Sequence, residues 1–199
     1  MRVIDAALAA RTVRGARRAI ARLGETRLRQ SYFTTFWLAD SAEPANGVEQ
    51  AVRALQKLAR PRGCSGAEWW IGRSYTNDVP IEFHFDEDVR GKTKKHPRLS
   101  SVFFFNRVRG GQLAVTDARP GEEASRLEAI RPRRNRYAIF KGDLLHGVLD
   151  ARGRTPGRKL PGPRGRLRVT LVVNFWAGRP GNVPTWSESK LYRALGPAR

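Results

Sequence analysis

His84 and Asp86 stand two residues apart in the run Ile81-Glu82-Phe83-His84-Phe85-Asp86, which reads as a β-strand. Side chains two apart on a strand share a face. The imidazole and the carboxylate therefore converge, while Phe83 and Phe85 face the other way. A further histidine, His146, lies in a second apolar stretch, Leu144-Leu145-His146-Gly147-Val148-Leu149. Two imidazoles and one carboxylate on one face of a metal ion leave three positions open, a donor set suited to non-haem Fe(II) and O₂ chemistry. His-x-Asp alone recurs by chance, so context has to carry the reading. The chain has three histidines, and two of them fall in apolar, strand-like surroundings. An ionised Asp placed there is costly unless it is paired or metal-bound. The third, His96 in Lys94-Lys95-His96-Pro97, reads as an exposed loop residue outside the ligand set.

The elements that must hold these groups follow from periodicity. Residues 3–24 read as an amphipathic helix rich in alanine and arginine, ended by Gly24. Residues 47–59 give a second helix with Val48, Val52, Leu55 and Leu58 on its apolar face. From residue 67 the period becomes strand-like, with strands predicted near 68–75, 81–86, 99–105, 112–117, 126–131, 136–140, 145–150 and 166–176. Turn signals such as Asn77-Asp78, Gly110-Gly111, Pro120-Gly121 and Lys141-Gly142-Asp143 separate them. Short strands without intervening helices predict an all-β sandwich or barrel. The expected organisation is one domain over 1–199: helical support from 1–66, a β core over 67–177 and a C-terminal extension over 178–199.

Composition narrows the classes. No apolar run is long enough to span a bilayer. A single cysteine, Cys64, excludes an internal disulfide framework and fits a reducing, cytoplasmic setting. The 38 Lys and Arg against 18 Asp and Glu give a net charge of +20. Such a field attracts acidic partners, although basic residues spread over a solvated surface account for it equally well. An Arg-rich N-terminus also occurs in targeting peptides, but here the arginine bias runs through the whole chain.

Residues 68–177 resemble the 2-oxoglutarate/Fe(II)-dependent dioxygenases, and among them the prolyl-hydroxylase-like group. The resemblance is carried by Phe83-His84-Phe85-Asp86, by Leu99-Ser100-Ser101-Val102-Phe103-Phe104-Phe105-Asn106, by Gly110-Gly111-Gln112-Leu113, by Phe140 to Val148, and by Arg168-Val169-Thr170-Leu171-Val172-Val173-Asn174-Phe175-Trp176. It implies a mainly β double-stranded β-helix, or jelly roll, with the N-terminal helices packed on it. It also implies Fe(II) held by His84, Asp86 and His146, with 2-oxoglutarate and O₂ as co-substrates. A basic residue on the last strand then anchors the distal carboxylate of 2-oxoglutarate. Arg168 fits, since a guanidinium grips a carboxylate bidentately, with Arg166 on the same face as its rival. Thr170 shares that face and offers a second hydrogen bond, and Tyr75 on the first strand reaches toward the co-substrate. Glu82 and Asp88 share the parity of the ligand pair and either crowd the site with negative charge or sit in water at the strand edges.

The activity so implied is hydroxylation of an unactivated C–H bond in an amino-acid, peptide or small-molecule substrate, coupled to decarboxylation of 2-oxoglutarate to succinate. Two alternatives draw on the charge: a nucleic-acid demethylase of the same superfamily, and a polyanion-binding protein that keeps the jelly roll as scaffold. The basic loop Arg152–Gly165, with Arg152, Arg154, Arg158, Lys159 and Arg164, is expected near the site mouth, where it would recruit an acidic or peptide substrate.

Overall fold

The computed structural model describes residues 1–30, 34–76, 81–90, 94–154, 165–189 and 191–197. Arg158, Lys159 and Arg164 of the basic loop lie outside the described residues. Nine strands and two α-helices follow in the order β1 (Arg2–Ile4), α1 (Ala10–Gln30), β2 (Phe36–Ala39), α2 (Gly47–Ala59), β3 (Gly66–Tyr75), β4 (Leu99–Phe104), β5 (Leu113–Thr116), β6 (Leu127–Ile130), β7 (Arg136–Lys141), β8 (His146–Val148) and β9 (Leu167–Trp176), with a short 3₁₀ turn at Arg193–Leu195. A six-stranded sheet, β1-β7-β4-β9-β3-β2, faces a three-stranded sheet, β6-β5-β8. The mainly β, jelly-roll expectation holds.

Strand alternation divides the core in two. On one face of the large sheet, Trp69, Ile71, Phe103, Leu171, Val173 and Phe175 pack against α1 and α2. On the other, Val102, Phe104, Ala138 and Phe140 meet Leu113, Val115 and Ile130 between the sheets. The central strand β9 pairs along its length with β3 and β4, so its inner-face residues, Arg168, Thr170, Val172 and Asn174, enter the space between the sheets.

The helices are set by local chemistry. Asn46 caps α2, its Oδ1 accepting from the amides of Val48 and Glu49 at 2.9 and 3.0 Å. Arg60 closes it in the left-handed region. Val48, Ala51, Val52 and Leu55 are fully buried. Gly24, expected to end the first helix, adopts φ 69° and breaks α1 there.

Three expectations need correction. The first helix begins at Ala10, because Arg2–Ile4 pairs instead with β7. A turn at Ala6 and Ala7 is held by Asn135, which accepts from the Leu8 amide and donates to its carbonyl at 2.9 and 2.8 Å. Arg136 grips Asp5 with two 2.7 Å bonds. Those partners lie 127 and 131 residues away in sequence, so the helical period of the alanines masked the strand. Second, Phe36–Ala39 forms an edge strand on β3, where four consecutive apolar residues carry no alternation to read. Third, 81–86 is less than a full strand. It runs beside β8 through a bridge at His84 and a bond from the Val148 amide to the Ile81 carbonyl.

Candidate metal centre

His84, Asp86 and His146 meet, with one donor atom from each lying within 4.8 Å of the others. Nε2 of His146 is 3.4 Å from Oδ2 of Asp86, and Nε2 of His84 is 3.8 Å from Oδ1. His146 and Asp86 are almost enclosed, whereas the His84 side chain is 43% exposed. The cluster therefore opens to solvent on the His84 side.

The backbone sets the tautomers. Nδ1 of His84 lies 2.7 Å from the Glu82 carbonyl, and Nδ1 of His146 lies 2.9 Å from the Leu144 carbonyl. A carbonyl only accepts, so each Nδ1 carries a proton and each Nε2 is the ring nitrogen turned to the cluster, free to coordinate once it holds no proton. Asp86 is supported twice. Ser100 donates to its Oδ2 at 2.7 Å, and His96 Nδ1 donates to its carbonyl at 2.9 Å. Burial pushes the Asp86 carboxyl up, but the bonds from His146 and Ser100 and the nearby histidines outweigh it, leaving its pKa below the ordinary carboxylate value. Burial likewise opposes the charged form of His146, yet the bond to Asp86 prevails and its pKa is raised. A centre that holds its carboxylate ionised while both imidazoles present Nε2 fits a divalent cation by its donor chemistry.

His96 is thus no bystander. It is half-buried, packs its ring edge-on against Phe85 at 6.1 Å, and braces the backbone of Asp86. Ser100, quoted in the sequence only as part of a strand motif, is a direct partner of the carboxylate. A hydroxyl on the inner face of β4 was the available signal. Glu82 is exposed, and Asp88 is occupied by the amides of Arg90 and Gly181 at 3.2 and 2.9 Å, so neither crowds the centre. The acid that sequence reasoning missed is Glu68 on β3. Burial pushes its pKa up to about 7, against bonds from Thr35 and Trp176 and with added repulsion from Asp86 and Asp88.

One cavity runs from the metal cluster along the inner face of the large sheet. His84, His146, Trp70, Gly72, Arg168 and Thr170 are among the residues that line it. Arg168 is 3% exposed, its guanidinium carbon 5.3 Å from the centroid of the Phe104 ring. Gly111, with φ +61°, makes room for it: a Cβ there would stand 2.9 Å from Arg168 Cδ. Thr170 lines the same wall, and its hydroxyl faces the Gly72 carbonyl at 3.4 Å. The rival Arg166 is exposed and lines a different recess. Tyr75 does not line the cavity. It is half-buried at the end of β3, where it pairs with Leu167.

The sequence profile of the 2OG-Fe(II) oxygenase superfamily matches residues 72–176. Among solved structures, a Pseudomonas putida prolyl-4-hydroxylase is similar at 18% identity and a TM-score of 0.56, over 88% of this chain and 87% of that one. HygX from Streptomyces hygroscopicus, solved with nickel and 2-oxoglutarate bound, is similar at 13% identity and a TM-score of 0.53, over 98% and 90%. A Trichoplax adhaerens prolyl hydroxylase in complex with a hypoxia inducible factor peptide fragment follows at 12% identity and 0.52, over 88% and 83%. Likeness at these identities speaks for the shared jelly-roll fold. A comparison with curated protein sequences gives no match.

Proposed function

The chain belongs to the 2OG-Fe(II) oxygenase superfamily, and from that membership and the site geometry we propose that it hydroxylates an unactivated C–H bond of an amino-acid, peptide or small-molecule substrate. His84, Asp86 and His146 would hold the iron, and Arg168 with Thr170 would hold 2-oxoglutarate. When bound, Fe(II), 2-oxoglutarate and O₂ supply the oxidation: the keto acid leaves as succinate and CO₂, one oxygen atom passing to it and the other to the substrate carbon.

The residues of the chain do the rest. The carbonyls of Glu82 and Leu144 hold both imidazoles in one tautomer, and Ser100 and His96 fix Asp86. The desolvated fork of Arg168 suits a carboxylate, which it would orient against the metal cluster. Trp70, Leu113 and Val172 wall the cavity with apolar surface that keeps water back.

The observation that carries the reading is that a single cavity is lined at once by two histidines of the metal cluster and by the buried Arg168. The substrate class draws on the neighbours: the Trichoplax enzyme was solved with a peptide, and HygX also with hygromycin B. The test is succinate formation from 2-oxoglutarate under Fe(II) across peptides, amino acids and small molecules. A substrate that stimulates turnover in the parent and not in Asp86→Ala supports the proposal. The absence of any 2-oxoglutarate turnover, coupled or uncoupled, would overturn it.

A further inference from the structure

Beyond the cavity, six arginines gather around one recess. Arg107 and Arg109 come from the connection between β4 and β5, Arg131 and Arg133 from that between β6 and β7, Arg152 from the turn after β8, and Arg166 from the approach to β9. The buried Val108 and Pro132 also line it, and among the described residues no carboxylate does. Asp150 builds the adjoining turn but is taken up there. Its Oδ1 accepts the amides of Arg152 and Arg154 at 2.7 and 2.9 Å, and Arg154 Nε stands 3.8 Å from its Oδ2.

Several arginines elsewhere are engaged within the fold, although Arg11, Arg18, Arg22 and Arg193 gather at a second recess beside α1. Arg136 pairs with Asp5, Arg119 with Asp143 and Arg179 with Glu188, while Arg53 is spent on the carbonyls of Ala39 and Ala42. Among the described residues, none of the six recess guanidiniums donates a hydrogen bond or joins an ion pair, and only Arg133 feels a carboxylate, Asp5, at longer range. Like charges brought together by four separate chain segments repel one another, and an anion relieves that repulsion.

We propose that this recess binds the phosphate group of a phosphate-bearing small molecule. Guanidinium forks match phosphate oxygens pairwise, and a multiply charged anion with several acceptor oxygens engages several arginines at once, as a single carboxylate cannot. A nucleic-acid strand fits less well. Strand-binding grooves add aromatic platforms on which bases stack, and no exposed aromatic lines this recess; the large exposed apolar residues among those described are Met1, Val3, Val89, Leu127 and Leu191, all elsewhere. The proposal does not depend on the oxygenase reading, because the recess and the metal cavity are separate.

Inorganic pyrophosphate is the probe, titrated calorimetrically into the full chain without metal or 2-oxoglutarate. Binding near one per chain is expected. Replacing Arg107, Arg131 and Arg152 together by Gln should weaken it at least tenfold, and replacing them by Lys should restore only part of it, since an ammonium keeps the charge and lacks the fork. The charge-matched comparison, Arg11, Arg14 and Arg18 to Gln on α1, removes two arginines of the rival recess that Arg22 and Arg193 also line, and should change it less than twofold. All six positions are exposed, and an unchanged melting temperature shows that each variant folds. Absence of pyrophosphate binding, or equal loss in the two triple variants, overturns the proposal. So does tighter binding of a single-stranded oligothymidylate with a steep salt slope, which would make the recess part of a diffuse polyanion surface.

Discussion

His84 and His146 exchange both of their backbone hydrogen bonds, the His84 amide to the His146 carbonyl at 2.9 Å and the reverse at 3.0 Å. Directly paired residues on antiparallel segments point to the same face, and the two rings lie 4.5 Å apart between centroids. The ladder that joins 81–86 to β8 therefore sets the metal cluster as well. A slip of one residue would turn one imidazole to the opposite face.

Metal binding should follow this pairing. We predict that His84→Ala, Asp86→Ala and His146→Ala each lose most of their affinity for Mn(II), used in place of Fe(II) and followed calorimetrically. Proton competition adds a pH signature. The proton of His146 is held above the ordinary imidazole value of 6.5, and a ligand must be deprotonated to bind metal. Affinity should therefore begin to fall above pH 6.5 on acidification. Three variants that bind like the parent would remove the cluster from consideration.

The braces of Asp86 should matter although they touch no metal. Ser100→Ala and His96→Ala are each expected to weaken Mn(II) binding by roughly 10–100-fold, the usual effect of losing a group that orients a ligand. Their melting temperatures without metal should change less than those of core variants. Metal affinity unchanged in both would mean that Asp86 is positioned by its own strand alone.

Co-substrate affinity should separate the two arginines. In metal-loaded protein, Arg168→Gln is expected to weaken 2-oxoglutarate binding by about 2–5 kcal/mol, as for a buried charge pair truncated on one side. The exposed Arg166→Gln should cost little. Gly111→Ala should copy Arg168→Gln in part, because its methyl group would press on Arg168 Cδ and its φ of +61° disfavours any side chain. The reverse ranking of Arg168 and Arg166 would move the anchor.

Glu68 should leave a trace in the pH dependence of stability. Its pKa rises from 4.5 to about 7 on folding. Between those values the unfolded chain has released a proton that the native state keeps, so stability falls as pH rises through the window and levels off above it. The loss amounts to roughly 2–3 kcal/mol, less than the full shift because the side chain is not wholly enclosed. Glu68→Gln should flatten that stretch of the urea-unfolding profile and be the more stable protein at pH 8. A parallel profile for parent and variant would contradict the burial of this acid.

Several features were determined by the sequence alone because they are local. Period-two alternation put His84 and Asp86 on one face and, along β9, put Arg168, Thr170 and Asn174 on another. The cap at Asn46 and the break at Gly24 are written in residue type. Tertiary structure decided what depends on contacts between distant segments. Arg2–Ile4 became a strand because Asn135 and Arg136 clamp the turn beside it, and Phe36–Ala39 because β3 offers an edge. His96 became a brace because its loop folds back under Asp86, and Ser100 became a ligand to the carboxylate because β4 passes behind it. Ser74 came to stand opposite Arg168, and Tyr75 opposite Leu167, because of the register between β3 and β9. Alternation states which residues share a face, but only pairing between strands states which face looks into the barrel, and with it which charges are buried together.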